Sequence, residues 1–419
     1  MSSVIFLLER PTPQRTPTLD AMWRAGVDLR ALYHEAADAQ RGWGPVLPRH
    51  PHGVVPAGRV AALRFVLGHL CRPGVDVLCC FGYHRPVNMA AILLARLRGI
   101  RVVTRSDSNW RDEQGRPALR RLAKRLFLRA LFGRRTRVWT VGRQNDRYWA
   151  AMGLTDRVLI PYGLPAPPVG PPGSGAWFRR RHGLGDGLVL LSVGVLDARK
   201  GTDTLLAAFR AVPHATARLV VVGQGPLAPR VAAEAARDPR IVAPGALTQA
   251  ELGPAYAAAD VFVLASRREP WGLVINEAKA NGLRVVLTDV TGCAADLVDP
   301  EVDRVFPAGE ADALARILVE LADAHATAHP ATAHSATAHP AAAHPAADHA
   351  VAPHPAAAHA VAPHAGAPHA AAAVRAAAGW PPVAALPPYD ASADMAADLR
   401  RLGATVTRTA ADRLPTTAA

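Results

Sequence analysis

Two glutamates in the second half of the chain, Glu269 and Glu277, stand eight positions apart in a context that suits ligand binding. The apolar run at 261–265 before them predicts a buried strand. The pair Asn281-Gly282 after them is typical of a helix end. We therefore predict a strand, a turn that carries Glu269, and a short helix with Glu277 on its second turn. Free amides at the helix start suit a diphosphate, and carboxylates at both ends suit sugar hydroxyls.

Strand-like and helix-like segments alternate along both halves of the chain, which predicts βαβ units on parallel sheets. The segment 165–176 is rich in Pro and Gly and is interpreted as an interdomain linker. We therefore expect an α/β protein with an N-terminal domain over 1–164 and a C-terminal domain over 177–321.

The composition changes abruptly at 322–378, where His, Ala, Pro and Thr dominate and a histidine recurs every five residues from His329 to His369. Because the prolines oppose a long helix, we interpret this segment as a disordered insertion. Metal binding by the histidines is the alternative to a repeat expansion without a chemical role. Residues 379–402 are predicted to form a helix, followed by a tail at 403–419.

The net charge of +14 is concentrated in the first domain. Residues 1–165 hold 27 Lys and Arg against 11 Asp and Glu, and the stretch 119–137 combines eight basic residues with apolar positions at helical spacing. One interpretation is a surface helix whose apolar side packs on its own sheet. Another, compatible with the first, is peripheral docking to anionic lipid. No aromatic-interleaved basic module accompanies the charge, so nucleic acid is not an expected partner.

Other features bear on the compartment and on cofactors. None of the four cysteines lies in a CxxC pair, which favours reduced thiols over a zinc site or disulfides. The apolar opening is too short for a signal peptide, and no stretch approaches the ~20 apolar residues of a membrane span. We expect a cytoplasmic protein, with a possible site at the inner face of the plasma membrane. No spacing of His and carboxylates suggests a metal site, so no metal or other cofactor is expected.

Further blocks accompany the two glutamates in a fixed order. They lie at 192–209, which contains Lys200-Gly201, and at 220–226, 244–245, 252–265 and 291–298. Together with the E-x7-E spacing, these blocks resemble family 4 of the retaining glycosyltransferases, densely over 188–320 and more loosely before. The resemblance implies the GT-B fold, in which two Rossmann-like domains with doubly wound parallel sheets face each other across a cleft. It also implies that the domain over 1–164 is the acceptor side, that the domain over 177–321 binds the nucleotide sugar, and that the helix at 379–402 crosses back to the first domain.

The resemblance also implies roles for residues of the second domain. Glu269 is expected to contact the transferred sugar, and Glu277 the nucleotide ribose. Lys200 is expected to neutralise the departing diphosphate. The plainer alternatives are a solvated pair of glutamates and an exposed turn lysine. The other expected donor-binding residues are Gly194, Arg199, Gly223, Gly272, Leu273 and Val274, the last three through backbone N–H groups.

The chain departs from the family pattern at the strand-end block and in the first domain. Val195 stands where an arginine often follows the glycine, and Arg199 is a candidate to replace it. Asp107 stands where many relatives place a catalytic histidine. His84, which follows the preceding strand, is either a second catalytic candidate or a structural turn residue.

A Pro-rich turn replaces the glycine-rich loop that many relatives carry after the first strand. Arg15 in this turn and Arg105 before the Asp107 segment are the expected acceptor-side residues. The function implied is the transfer of a hexose from a nucleotide-diphosphate sugar to an acceptor hydroxyl, with retention of configuration. The acceptor is expected to be a sugar, a lipid-linked molecule or a small molecule, and the product a polysaccharide, glycolipid or glycosylated metabolite. The alternatives are a related GT-B phosphorylase or synthase and a catalytically silent nucleotide-sugar-binding scaffold.

Overall fold

The computed structural model of the protein describes residues 3–37, 46–163, 167–329 and 391–404. They form two α/β domains, each built on one parallel sheet. The first sheet contains β1 (Val4–Leu8), β2 (Leu29–Tyr33), β3 (His52–Val54), β4 (Val77–Phe81), β5 (Arg101–Arg105), β6 (Arg137–Thr140) and β7 (Arg157–Leu159). The second contains β8 (Val189–Val193), β9 (Arg218–Val222), β10 (Ile241–Gly245), β11 (Val261–Leu264), β12 (Arg284–Thr288) and β13 (Arg304–Phe306).

Helices cover both faces of the two sheets. Those of the first domain are α1 (Thr16–Arg24), α2 (Arg59–Leu70), α3 (Pro86–Leu97), α4 (Arg111–Gln114), α5 (Ala118–Phe132) and α6 (Arg143–Ala151). They are followed by α7 (Ser174–Arg181), α8 (Thr202–Arg210), α9 (Ala228–Arg237), α10 (Gln249–Ala258), α11 (Leu273–Ala280), α12 (Ala294–Leu297), α13 (Ala311–Ala328) and α14 (Ser392–Arg401). A 3₁₀ turn, Ala198–Lys200, precedes α8.

The strand order places a crossover in the middle of each sheet. It is β3-β2-β1-β4-β5-β6-β7 in the first domain and β10-β9-β8-β11-β12-β13 in the second. The order in which successive strands are added to the sheet therefore reverses between the neighbours β1 and β4, and again between β8 and β11. Ligands of open parallel sheets bind outside the carboxyl ends of the strands at such points. The GT-B architecture predicted from the sequence is confirmed.

The two domains also contact each other beside the cleft. The Arg143 N–H donates to Asp296 Oδ1 at 3.1 Å, and Arg268 Nε donates to Asp112 Oδ1 at 3.2 Å. Gly142 lies so close to the ring of Trp271 that an added Cβ would stand 2.3 Å from it. These contacts hold the carboxyl edges of the two sheets face to face.

The end of the chain belongs structurally to the first domain. Helix α14 packs against α1, and its Met395 and Leu399 are buried in the core that surrounds β1. The Asp398 carboxylate, 1% exposed, accepts a hydrogen bond from Trp139 Nε1 at 2.8 Å and one from Arg137. The first domain is thus completed by residues that lie far away in sequence.

Two predicted boundaries were wrong. Helix α13 continues to Ala328, so residues 322–328 are not part of a disordered insertion: Leu321, Ala322 and His325 are buried against the second domain. Helix α7 begins at Ser174, inside the segment predicted as a linker. The remainder of the predicted insertion and linker residues 165–166 lie outside the described residues, as do the first part of the predicted terminal helix and the tail beyond residue 404.

Candidate functional site

A cleft of about 590 Å³ lies between the domains. Its second-domain wall is formed by the carboxyl ends of β8, β9 and β11 and by the start of α11. The predicted residues that line it are Arg15, Asp107, Gly194, Arg199, Lys200, Gly223, Glu269, Gly272, Leu273, Val274 and Glu277. The structure therefore brings together residues that the sequence places in both domains.

An ion pair stands at the base of this cleft. Lys200 Nζ donates to Glu269 Oε2, and Ser266 Oγ donates to the same oxygen at 3.3 Å. The turn that carries Lys200 is capped by Asp197, whose Oδ1 accepts the Lys200 N–H at 2.8 Å. Glu269 Oε1 has no hydrogen-bond partner within the described part of the chain. A ligand hydroxyl can therefore reach it without breaking the ion pair.

The start of α11 faces the same space. Gly272, with φ +97°, precedes the helix in a conformation that L side chains rarely adopt. The Ile275 N–H is occupied, since it donates to Gly272 O at 2.8 Å. By contrast, the N–H groups of Leu273 and Val274 have no partner among the described residues. These two amides of α11 thus remain open at a helix N-terminus, and the Gly272 N–H before them also has no partner among the described residues.

The floor of the cleft is backbone. The Gly194 N–H donates to Val222 O at 3.0 Å, and a Cβ added at Gly223 would stand 1.8 Å from Gly194 O. Any side chain at Gly223 would push the two strand ends apart. The glycines therefore allow a ligand to approach the main chain closely.

Glu277 is more enclosed than Glu269. It is 5% exposed, and its Oε2 accepts a hydrogen bond from Tyr256 OH at 2.7 Å. Burial raises the pKa of Glu277 to about 7, although the Tyr256 hydrogen bond acts in the opposite direction. The side chain still lines the cleft beside Leu252 and Leu273. A ligand that hydrogen-bonds the charged form would bind better as the pH rises through 7.

A second cavity of about 560 Å³ opens from the cleft into the first domain. His84 and Arg105 line this cavity, whereas Arg15 and Asp107 line both spaces. His84 is exposed. Sequence reasoning therefore selected residues on the wall of this cavity as well as on that of the cleft.

Asp107 and Arg105 are joined through one tyrosine. Tyr162 OH donates to Asp107 Oδ1, while the Arg105 guanidinium carbon lies 4.8 Å from the centre of the Tyr162 ring. Arg105 also donates to Pro161 O at 3.2 Å. Tyr162 in turn packs edge-on against Trp271 of the second domain, at 5.7 Å between ring centres. One tyrosine thus connects the junction of the two cavities to both domains.

Arg199, the candidate to replace the arginine that is absent at Val195, is held through its side chain only by a partly exposed ion pair within the described residues. Its side chain is 42% exposed and lies 3.6 Å from Asp197 in an ion pair. Val195 lines the cleft without offering a charge. The positive charge at this wall therefore comes from Lys200 and Arg199.

Sequence reasoning missed several lining residues. Glu9 directly follows β1, lines both cavities and pairs with Arg85. Its place after a buried strand at a crossover was a usable signal. Tyr162 gave none, since its tertiary contacts with Asp107 and Trp271 bring it to the site. Trp271 lies two positions after Glu269, in the predicted turn.

The described residues contain neither a candidate metal site nor a candidate membrane-spanning helix. They contain no group of three or more His, Cys, Asp or Glu placed to hold a metal ion. None of their helices combines the length and the hydropathy that a transmembrane span requires.

Comparisons with known proteins agree with this geometry. The family model described as Glycosyl transferases group 1 matches residues 187–324. The D-inositol 3-phosphate glycosyltransferase of Acidothermus cellulolyticus is 34% identical over 205 residues, which cover 44% of this chain and 45% of that protein. The GDP-mannose-dependent alpha-(1-6)-phosphatidylinositol monomannoside mannosyltransferase of Mycolicibacterium smegmatis is 28% identical over 58% of this chain and 66% of its own. The chain thus spans less than two thirds of these relatives.

Solved structures show the same fold at low identity. Anabaena Alr3699/HepE in complex with UDP superposes with a TM-score of 0.60 at 17% identity, over 80% of this chain and 93% of that one. Sucrose-phosphate synthase from Thermosynechococcus elongatus gives 0.59 at 20%, over 80% and 92%. Residues 187–324 are therefore a glycosyl transferases group 1 domain, set in a two-domain GT-B fold.

Proposed function

We propose that this protein is a retaining hexosyltransferase that moves a sugar from a nucleoside-diphosphate sugar to an acceptor hydroxyl. The observation that carries the proposal is the Lys200–Glu269 ion pair beside the two open amides of α11. A cation and helix amides suit a departing diphosphate, and a carboxylate with one oxygen free of hydrogen bonds to the described residues suits sugar hydroxyls. The UDP-glucose complex of Anabaena Alr3699/HepE, which shares the fold, supports this class of donor.

In the proposed reaction, the bond between the anomeric carbon and the diphosphate oxygen breaks, and the acceptor oxygen bonds to the same face. The acceptor proton passes to the departing diphosphate. Lys200 and the N–H groups of Leu273 and Val274 balance its negative charge, so the mechanism needs no metal ion. Glu269 holds the sugar and Glu277 the ribose.

The acceptor would enter from the first-domain cavity, where Asp107, His84, Arg105 and Arg15 surround it. The names of two relatives, which act on inositol phosphate and on a phosphatidylinositol mannoside, favour a hydroxylated acceptor, free or lipid-linked. We place the reaction in the cytoplasm, in the synthesis of a polysaccharide, glycolipid or glycosylated metabolite.

A second candidate is a nucleotide-sugar binder without transfer activity. Val195 favours it, because the cleft wall lacks the fixed arginine that often follows the glycine in relatives. Such a protein would bind the donor and neither transfer nor hydrolyse it.

The test begins with thermal denaturation in the presence of UDP, GDP, ADP or dTDP. The diphosphate that raises the Tm most identifies the donor base. Transfer from the matching sugar nucleotides is then measured for the parent, for Glu269→Gln, and for Glu320→Gln as an exposed control in the same domain. We expect Glu269→Gln to lower kcat by about a hundredfold with an unchanged Tm. Transfer at the parent rate by Glu269→Gln would refute the proposal, and binding without turnover by the parent would establish the second candidate.

A further inference from the structure

Helix α5 turns its apolar side outwards. Four of its large apolar side chains are exposed: Leu119 by 77%, Leu122 by 51%, Leu126 by 58% and Phe127 by 45%. At about 100° per residue, they cover an arc of roughly 140° on the helix. The opposite side, with Leu128, Leu131 and Phe132, is the one that packs on the domain. The interpretation in which the apolar side rests on its own sheet therefore holds for this buried side and is wrong for the exposed stripe.

The neighbouring helix α3 adds to this surface. Its Leu93 and Leu97 are 45% and 86% exposed. The two helices are tied together because Arg96 Nη1 donates to Leu131 O at 2.7 Å, at the carboxyl end of α5. Six exposed apolar side chains thus lie on two adjoining helices of one domain.

Arginines border the apolar arc of α5. Arg120 lies on one side of it and Arg125 and Arg129 on the other, all exposed, and no acidic residue occurs between 118 and 137. Two other cations of the predicted basic stretch are engaged inside the protein. Lys124 donates to Glu113 Oε1 at 2.5 Å, and Arg137 pairs with Asp156 and Asp398. The charge available to a partner is therefore that of the remaining arginines, three of which stand beside the leucines.

We propose that α5, assisted by Leu93 and Leu97 of α3, docks the first domain onto an anionic lipid surface. An apolar arc that is flanked by arginine on both sides matches a helix that lies in a bilayer interface. A second copy of this chain would bring arginine-rich helices together against their repulsion, and a nucleic acid would leave the leucines unmatched.

This inference goes beyond the proposed sugar transfer, since lipid binding needs neither donor nor acceptor. It has a consequence for the acceptor. Lys124, on the inner side of α5, lines the first-domain cavity. Docking would place that cavity about one helix diameter, ~10 Å, from the lipid.

The experiment is co-sedimentation of the full chain with vesicles of phosphatidylcholine, alone or mixed with phosphatidylglycerol. We expect binding to the mixed vesicles only, weakened by salt. The charge variant Arg120→Ser/Arg125→Ser should lose about fivefold in affinity for each arginine. The apolar variant Leu122→Ser/Leu126→Ser should lose more than about tenfold. Matched second-domain controls, Val305→Ser and Arg230→Ser/Arg237→Ser, should bind as the parent does.

The four altered α5 side chains are solvent-exposed, so each variant should keep the parent Tm and its shift by nucleoside diphosphate. Equal binding to both kinds of vesicle, or parent affinity in the leucine variant, would overturn the inference. So would a dimer, seen by sedimentation velocity, that the leucine substitutions dissociate while vesicles remain unbound. Failure of sugar transfer alone would leave the lipid result standing.

Discussion

Two lysine–carboxylate pairs of the second domain differ in what surrounds them. The Lys279–Asp303 pair, at 2.5 Å, is sealed, with side chains 4% and 0% exposed. The Lys200–Glu269 pair opens onto the cleft, with side chains 18% and 9% exposed. In both pairs the lysine lies at or near the end of a helical element, and both pairs are largely shielded from solvent.

The hydrogen bonds of the two carboxylates explain the difference. Asp303 also accepts the Val285 N–H at 2.9 Å and the Asp299 N–H at 2.8 Å, so both of its oxygens are occupied by the fold. Glu269 receives only side-chain donors, and its Oε1 is free of hydrogen bonds to the described residues. A pair whose atoms are all used supports the fold, whereas a pair with an open atom at a cleft is available to a ligand.

The largest expected effect separates the two lysines. Lys200→Met should lower kcat for sugar transfer by about 10²–10³-fold, because it removes a cation from the departing diphosphate. Its Tm should stay near that of the parent, since water can reach Glu269. Lys279→Met, the matched variant, should destabilise the domain by about 3–5 kcal/mol by leaving Asp303 buried and unpaired. Initial rates and urea unfolding measure the two effects. Equal losses of stability in both variants would contradict the distinction.

The sequence predicted the second domain better than the first because the chemistry there is local. The bounds of α11 agree with the prediction, since an apolar strand, a Pro-Trp-Gly turn and an Asn-Gly end lie within 22 residues at 261–282. In the first domain, β3 is three residues long and is defined by its pairing with β2. No local sequence pattern predicts this pairing.

The misread positions have a common physical cause. His325 lies in a composition that resembles low complexity, yet it is 7% exposed because α13 packs on the second-domain core. Tyr162 joins the site through Asp107 and Trp271, which are separated from it by tens of residues. Tertiary packing determines the burial of His325 and the location of Tyr162 at the site. A single sequence carries little information about such packing.

Asp107 is another carboxylate at the cleft, and it can be compared with Glu269 in the same way. Asp107→Asn should lower the transfer rate by about tenfold to a hundredfold through loss of charge near the acceptor, while nucleoside-diphosphate affinity is unchanged. The Asn oxygen can still accept from Tyr162 OH. Tyr162→Phe removes this hydrogen bond and keeps the ring. A parent rate in Asp107→Asn together with a loss in Tyr162→Phe would show that Asp107 serves only to position Tyr162.

Glu277 gives the smallest expected effect and lies between the two kinds of carboxylate, since it is buried like Asp303 but lines the cleft. Its pKa is about 7 in the folded protein against an ordinary 4.5. The folded state therefore holds the proton more tightly, and its stability falls as the pH rises from 4.5 to 7 and stays low above. Glu277→Gln should remove this penalty and raise the Tm of the free protein at pH 8, but not at pH 4.

The same variant should weaken nucleoside-diphosphate binding by about tenfold at pH 8, because a charged acceptor for ribose hydroxyls is lost. Below pH 6 the parent is itself protonated, so the two proteins should bind alike. Calorimetric titration at both pH values, with Glu320→Gln as the control, measures the difference. If Glu277→Gln is stabilised at pH 8 and binds as tightly as the parent, then Glu277 contributes nothing to the ligand. Glu277 would then line the cleft without binding the ligand, unlike the behaviour that the comparison of the two lysine pairs predicts for a carboxylate at the cleft.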